Sequence, residues 1–418
     1  MKVLRITTAL LCVAALFAPS REIGDIAAAL ATALWVWMLV SHPAKYSRLV
    51  PFGVLGGVLA MLFGILVIFR GNAPKNDFLQ FYVAAQNAGA RNFYAMAASR
   101  ATTQSLLQNQ FPMPFVRLPF YALLLRPLAR LEYRTAYAVW QALSAASFVA
   151  VALLWSGRKP CVGLACAWSV PIAVTLVRGQ DIGFVLLLLS LAVRFMDEDW
   201  LVAGGAIFAL CTIKWNLLLV LPLFLVRFRS FRLWSGFLGS VVVLTCLSFA
   251  VAGRQWPGEY FRLLQNPAWS PHVEVMPNLR GLVAGWFWQN RLQASLAVCV
   301  AGFDLVIVAR SKSREYAMAA TCAAGLLLTP HAYVYDCAVL IPFLVAVGYE
   351  TSRLVVRYLA VLLLTPAFAL LLWSQNWHTV SQGALVALLA AMAWDQWKGP
   401  CLAAVPSLTH LHRHPGCR

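Results

Sequence analysis

Apolar runs of roughly 15 to 23 residues follow one another along almost the whole chain, and in membrane proteins a run of about 20 such residues is the length of one helical span. In lipid every backbone N–H and C=O must be satisfied within its own segment, so this recurrence calls for a bundle of membrane-spanning helices. Composition agrees. Of 418 residues, 61% are hydrophobic and 11% charged, against about 25% charged in a soluble domain. A large soluble domain is excluded, and any chemistry must sit in loops or between helices.

The runs fall near 4–19, 23–40, 52–69, 134–156, 160–177, 182–195, 201–213, 215–226, 231–252, 291–309, 315–329, 334–349, 354–373 and 379–395. We expect an all-α polytopic membrane protein with about 12–14 transmembrane helices, several of them short. The pair at 201–226 reads either as one long tilted helix or as a hairpin broken at "IKWN". The start, "MKVLRITTALLCVAALFAPSRE", resembles a signal peptide, but Pro19 and Arg21 occupy the cleavage region. An uncleaved first helix fits better. The expected organisation is an N-terminal hairpin or signal-anchor region over 1–41, a membrane domain over 42–397 and a cytoplasmic tail over 398–418.

Net charge is +18. The basic residues are scattered among short loops rather than gathered on one face, so nucleic acid is not an expected partner; the lipid bilayer is. With the N-terminus inside, the loops "SHPAKYSRL", "SGRK", "RFRSFR", "RSKSRE" and "ETSR" become cytoplasmic and basic, as the positive-inside rule asks. "MDEDW" is acidic, but acidic residues weigh little in that rule. The same alternation gathers loop 70–133, the turn "RGQD", loop 253–290 and "TPHAYVYD" on the outer side. A cell-membrane protein with its site on the extracytoplasmic face follows as the expectation. Within loop 70–133, residues 77–90 and 94–109 have apolar positions at helical spacing. "FPMPFVRLPFYALLLRPLARLEYR" reads as helices lying at the interface.

Asp77 is the leading candidate for chemistry. With Gln80 it resembles a capping box opening a short helix; equally, a carboxylate at a membrane boundary can take a proton from an acceptor hydroxyl. Arg117, Arg178 and Lys214 lie at the ends of, or within, apolar segments, where snorkelling is the ordinary reading. Lys214 lies mid-run and calls for an anionic partner, which a phosphate would supply. Asp181 after Gln180 reads as an N-cap. His331 follows Pro330, and Asp336 is placed to face the same cavity. Trp256, Tyr260, Trp269, Trp286 and Trp288 in loop 253–290 suit interfacial anchoring, sugar stacking or a lipid groove. The ten cysteines have no paired spacing. No metal site is expected; His410, His412, His414 and Cys417 read as part of a frayed tail.

Five blocks in order resemble glycosyltransferase family 87, whose members use a polyprenyl-phosphate sugar. They are an apolar helix leading to "NDFLQFYVAA", then "FVRLPFYALLLRPLARLEYRTAYAVWQ", "RGQDIGFVLLLLSLAV", "AGGAIFALCTIKWNLLLVLPLFLV" and "LTPHAYVYDCAVLIPF", together covering roughly residues 52 to 350. The resemblance implies a GT-C glycosyltransferase fold, with amphipathic helices in the first long outer loop. It also implies transfer of a hexose, mannose being the best-known, from a polyprenyl-phosphate donor to a lipid-linked or glycan acceptor. Asp77 falls on the position of the inverting general base, and Arg117, Gln180, Lys214 and His331 on substrate-binding positions. No cofactor is required beyond the donor itself. Arg117 stands where the family has part of a tyrosine–proline–proline-like element, and Asp181 departs from its pattern. A transporter or flippase of lipid-linked saccharides is the alternative, as is an inactive partner in an envelope-glycan complex. A transporter would favour mid-bilayer charges and internal repeats; no clear repeat is present.

Overall fold

The computed structural model describes residues 50–69, 77–90, 93–94, 114–266, 272–374 and 377–399. The expected segments 4–19 and 23–40, most of the helix expected at 94–109, Trp269 and the histidine-rich tail lie outside the described residues. Among the described residues every regular element is helical.

Long apolar helices form where the runs predict them: α1 at Val50–Phe69, then α2, a short helix at Phe78–Gln86, and α3 at Pro119–Leu125. A long helix α4 runs over Tyr133–Ser156. The next run is bent into α5, Cys161–Ala167, and α6, Val170–Arg178, by 51°. Pro171 explains the break: it starts α6 but cannot continue α5. Then come α7 at Ile182–Asp197, α8 at Leu201–Leu210 and α9 at Leu221–Arg227. They are followed by α10 at Phe231–Ala252, α11 at Trp256–Leu264 and the single turn α12 at Leu279–Leu282. Last are α13 at Gln289–Arg310, α14 at Arg314–Leu328, α15 at Ile341–Glu350, α16 at Leu354–Leu364, α17 at Pro366–Trp373 and α18 at His378–Lys398. Among the described residues four helical stretches are long and apolar enough to cross a membrane, one of them Leu201–Leu218 taken across its break at Lys214, and up to six if each bent pair is one span. The protein is an all-α polytopic membrane protein.

Ion pairs show which loops share an end of the bundle. Arg158 meets Asp197 at 2.6 Å, Lys159 meets Glu350 at 3.0 Å and Glu315 at 3.7 Å, and Arg314 meets Asp197 at 2.8 Å. The loops after α4, α7, α13 and α15 are thereby gathered at one end, as the charge reading groups them. Asp395 reinforces this end, accepting from Arg353 Nε at 2.8 Å, Thr351 Oγ1 at 2.9 Å and Tyr316 Oη at 3.1 Å.

The same pairs resolve segment 201–226. Asp199 meets Arg232 at 3.3 Å, so the chain that leaves this end at residue 200 is back at it by residue 231. The segment is a hairpin, and its apex is Lys214, whose φ of −121° and ψ of 54° break the helix within the 3₁₀ stretch Cys211–Leu218. Each leg of about 13 residues rises only about 20 Å at 1.5 Å per residue. Close backbone contact fixes the legs. A Cβ on Gly205 would strike the Leu233 carbonyl of α10, and one on Gly236 would strike the Val202 carbonyl of α8. A Cβ on Gly325 of α14 would strike the Leu217 carbonyl. Small residues that let helix backbones touch are the usual cement where the lipid offers no hydrophobic drive.

Helix α2 forms where helical spacing was expected, in a loop expected to hold amphipathic helices, but it has no solvent face along most of its length: Phe78 through Ala85 are all buried. Phe78 packs on Trp140, Tyr133 and Tyr137, and Phe81 on Trp140, Phe115 and Tyr121, with ring centroids 5.2–6.4 Å apart. With aromatic residues around its circumference, a nine-residue helix finds partners on every side and becomes core. This aromatic cluster lies at the end opposite the ion-pair network, and the polar residues of interest lie against it.

Candidate active site

Asp77 stands at the N-cap position of α2, yet its side chain makes no capping hydrogen bond. Its backbone is helical (φ −75°, ψ −9°), whereas an N-cap residue that caps is extended. The peptide N–H is used elsewhere, donating to the Arg178 carbonyl at 2.7 Å. That bond anchors α2 to the end of α6. The half-buried carboxylate turns to the next loop, where its Oδ2 accepts from Gln180 Nε2 at 2.6 Å. Gly179, at φ 66°, makes the turn that delivers Gln180, and its carbonyl accepts from the Trp140 indole at 3.0 Å.

Gln180 cannot flip without loss. Its Oε1 accepts from Arg117 Nη2 at 3.4 Å, and a guanidinium only donates, so the amide nitrogen is the end that faces Asp77. Arg117 in turn grips Asp181 with a fork, Nε to Oδ2 at 2.7 Å and Nη2 to Oδ1 at 2.9 Å. Asp181 is another aspartate at an N-cap position that does not cap. Lys214, at the hairpin apex, pairs with Asp336 and lies 3.6 Å from Asp181 Oδ1. The second oxygen of Asp336 accepts the Tyr333 N–H at 2.9 Å, and Lys214 Nζ lies 4.9 Å from the Tyr335 ring centroid. The result is a chain of buried polar contacts from Asp77 through Gln180, Arg117, Asp181 and Lys214 to Asp336.

His331 belongs to the loop between α14 and the 3₁₀ stretch Val334–Leu340. Its carbonyl accepts from Asn216 Nδ2 at 3.1 Å and Thr329 Oγ1 at 3.1 Å, and its ring meets Tyr333 edge-on at 4.9 Å. Asn216 therefore ties the His331 loop to the hairpin apex, two residues from Lys214.

The electrostatics divide the site in two. Burial pushes the Asp77 carboxyl above its ordinary value, opposed by the Gln180 hydrogen bond and by the charges of Arg178, Lys214 and Arg117. A raised carboxylate is suited to accepting a proton near neutral pH. Burial pushes His331 down to about 4; Lys214, Arg117 and Arg280 act in the same direction, against the pull of Asp336. The imidazole is neutral at physiological pH.

All five expected site residues thus meet at one end of the bundle. What the sequence reading missed is their partners. Asp181 is the carboxylate of Arg117 rather than a cap, and Asp336, placed near the cavity by the sequence reading, is the partner of Lys214. Lys214, expected to meet phosphate, and Arg117, expected at a substrate-binding position, are each engaged with carboxylates. Asn216 and Tyr333 were not anticipated, although Asn216 lies in the same "KWN" break as Lys214. Of the loop aromatics, Trp256 and Tyr260 join the interior cluster: the Trp215 indole donates to Tyr260 Oη at 2.8 Å, and the Tyr94 ring lies 5.5 Å away. Trp286 and Trp288 are exposed. Among the described residues no three His, Cys, Asp or Glu side chains are grouped to hold a metal ion.

Comparison with known proteins converges on one family. The sequence matches the family model of glycosyltransferase family 87 over residues 115–330, more than half of the chain, and the chain belongs to that family. Arg117, Gln180, Asp181 and Lys214 lie inside the matched residues; Asp77 precedes them and His331 follows directly after. No curated protein and no solved structure matches the chain.

Proposed function

We propose that this membrane glycosyltransferase moves a hexose, with mannose the first to test, from a polyprenyl-phosphate donor to a lipid-linked or glycan acceptor, with inversion and with Asp77 as general base. The observation that carries the proposal is the Asp77 carboxylate, turned away from its helix and hydrogen-bonded to Gln180 beside a buried group of ion pairs. In the proposed step the acceptor oxygen attacks the anomeric carbon from the face opposite the phosphate. Asp77 takes the hydroxyl proton as the C–O bond forms. The anomeric bond to the phosphate oxygen breaks, and its electron pair leaves with polyprenyl phosphate. Gln180 keeps Asp77 aimed. Arg117 and Lys214, locked onto Asp181 and Asp336, hold the cradle in place, and the neutral His331 ring donates a hydrogen bond toward the phosphate. Fixed donors and charges of this kind act without rearranging during the reaction.

A bilayer-borne polyprenyl chain explains why so apolar a protein would carry a site at one end of its bundle. The proposal includes a GT-C fold, a cell-membrane location and a site on the extracytoplasmic face, because the basic loops "SGRK", "RFRSFR", "RSKSRE" and "ETSR" lie at the opposite end. The test is to supply the nanodisc-embedded protein with polyprenyl-phosphate-mannose and a lipid or glycan extract, then determine the anomeric configuration of the product. An inverted product supports the reading. A retained configuration would remove the single-base mechanism, and no transfer from any polyprenyl-phosphate hexose would favour the saccharide-transporter reading.

A further inference from the structure

We infer that Arg280 is the cation that receives the phosphate of the departing polyprenyl phosphate, beside His331. The inference rests on the proposed reaction. It starts from a charge balance. The donor is a phosphodiester with one negative charge; when the anomeric C–O bond breaks, the leaving oxygen keeps the electron pair and the phosphate gains a second charge. The acceptor proton has gone to Asp77, so a cation must meet that charge.

The two cations deepest in the site are already committed. Arg117 uses both arms of its fork on Asp181, and Lys214 is held by Asp336 and Asp181, with all four side chains at most 7% exposed. Drawing either toward a ligand would strand a buried carboxylate without its partner, which is strongly unfavourable. Arg280 differs. Among the described residues it pairs with no carboxylate, is only half-buried, and gives Nη1 to the Pro330 carbonyl at 3.3 Å. The rest of its donor fork is available, and a fork suits phosphate oxygens.

Its position is built rather than incidental. Asn278, fully buried, accepts from the Gly281 N–H at 2.8 Å and donates to the Thr329 carbonyl at 2.9 Å. Gln382 of α18, also fully buried, donates to the Glu274 and Met276 carbonyls at 2.7 and 2.8 Å. A Cβ on Gly281 would meet the Gln382 amide at 2.7 Å and the Met276 carbonyl closer still. Segment 273–282 is therefore clamped between α18 and the Thr329–His331 loop, and the clamp sets Arg280 on Pro330, next to His331. The charge of Arg280 acts on both His331 and Tyr333, and that of Asp77 also acts on Tyr333. Asp77 and Arg280 stand on different segments of the chain, so the base and the phosphate cation are separate groups.

The test measures binding of polyprenyl phosphate, the product class, to the nanodisc-embedded wild type and to Arg280→Gln, Arg280→Lys and Arg254→Gln, with polyprenol as the uncharged comparator. Loss of a charge-assisted hydrogen bond corresponds to about 10- to 100-fold weaker binding. Arg280→Gln should weaken polyprenyl phosphate binding by that factor and leave polyprenol binding unchanged, with Arg280→Lys in between. Arg254, exposed and outside the clamped segment 273–282, should be replaceable without effect. Equal binding by wild type and Arg280→Gln would overturn the role of Arg280 while leaving the proposed reaction standing. So would a parallel loss in Arg254→Gln, which would signal surface charge alone. No preference of the wild type for polyprenyl phosphate over polyprenol would remove the reaction itself, and the inference with it.

Discussion

Replacing Gln180 by leucine isolates one link of the site. The side chain is similar in size, and Arg117 keeps its fork on Asp181, so the cradle stays closed. What disappears is the 2.6 Å hydrogen bond to Asp77, together with the longer 3.4 Å bond from Arg117 Nη2, which keeps its two shorter bonds to Asp181. A hydrogen bond to an ionised group contributes about 1.5–3 kcal/mol. This one favours the carboxylate form, so without it the Asp77 carboxyl, already raised by burial, rises further. A general base works only when deprotonated. At 1.36 kcal/mol per pH unit, the acid limb of the rate profile should move up by about one to two pH units. Initial rates of sugar transfer in nanodiscs, from about pH 5 to about pH 9, measure it around the expected limb. Above the shifted limb the leucine variant should recover to within a few-fold of wild type, since the base is unchanged. A limb at the wild-type position, with the rate lowered equally at every pH, would refute the link between Gln180 and the charge on Asp77.

Two further perturbations follow from the packing. Asp181→Leu strands the buried Arg117 and should lower stability by about 3–5 kcal/mol. Adding Arg117→Met to it should recover much of that loss, read as thermal unfolding midpoints, although neither variant should transfer sugar well. Gly325→Ala drives a methyl into the Leu217 carbonyl, an overpacking of about 1–3 kcal/mol that also displaces the stretch carrying Lys214. Its thermal midpoint and its transfer rate should both fall. Gly302→Ala, with open space around its Cβ, should change neither.

How much of this could be read from the sequence depends on the range of the interaction. Spans set by apolar runs were legible to within a few residues: 134–156 against Tyr133–Ser156, and 291–309 against Gln289–Arg310. Charge alternation grouped the loops correctly, because the pairs Arg158–Asp197 and Lys159–Glu350 gather the loops that the rule assigned to one side. The pairings inside the site were not legible. Arg117 and Asp181 are 64 residues apart and Lys214 and Asp336 are 122 apart, beyond any local pattern.

The two aspartates show where a local rule fails. Glu132, Ser169, Ser230, Asn278 and Ser313 all cap their helices, and all have extended backbones with ψ between 113° and 176°. Asp77 and Asp181 occupy the same position but have ψ of −9° and 2°, which leaves their carboxylates free to face the site. Residue type and position suggested a cap in both cases; the backbone angle, set by the surrounding loops, decided otherwise. The full burial of helix α2 was not legible for a related reason. Its apolar spacing describes one face, but Phe78, Phe81 and Tyr82 meet aromatic partners supplied by distant segments on the others.

The central claim is that Asp77 is the base of a sugar transfer, and the most direct measurement compares wild type with Asp77→Asn in nanodiscs. Asparagine keeps the shape and can still meet Gln180, but it cannot hold the acceptor's proton. Positioned general bases contribute about 10²- to 10⁴-fold to rate. Transfer from the polyprenyl-phosphate sugar should fall by that factor while polyprenyl phosphate binding stays at the wild-type level. Undiminished transfer by Asp77→Asn would contradict the account and leave the carboxylate a structural partner of Gln180.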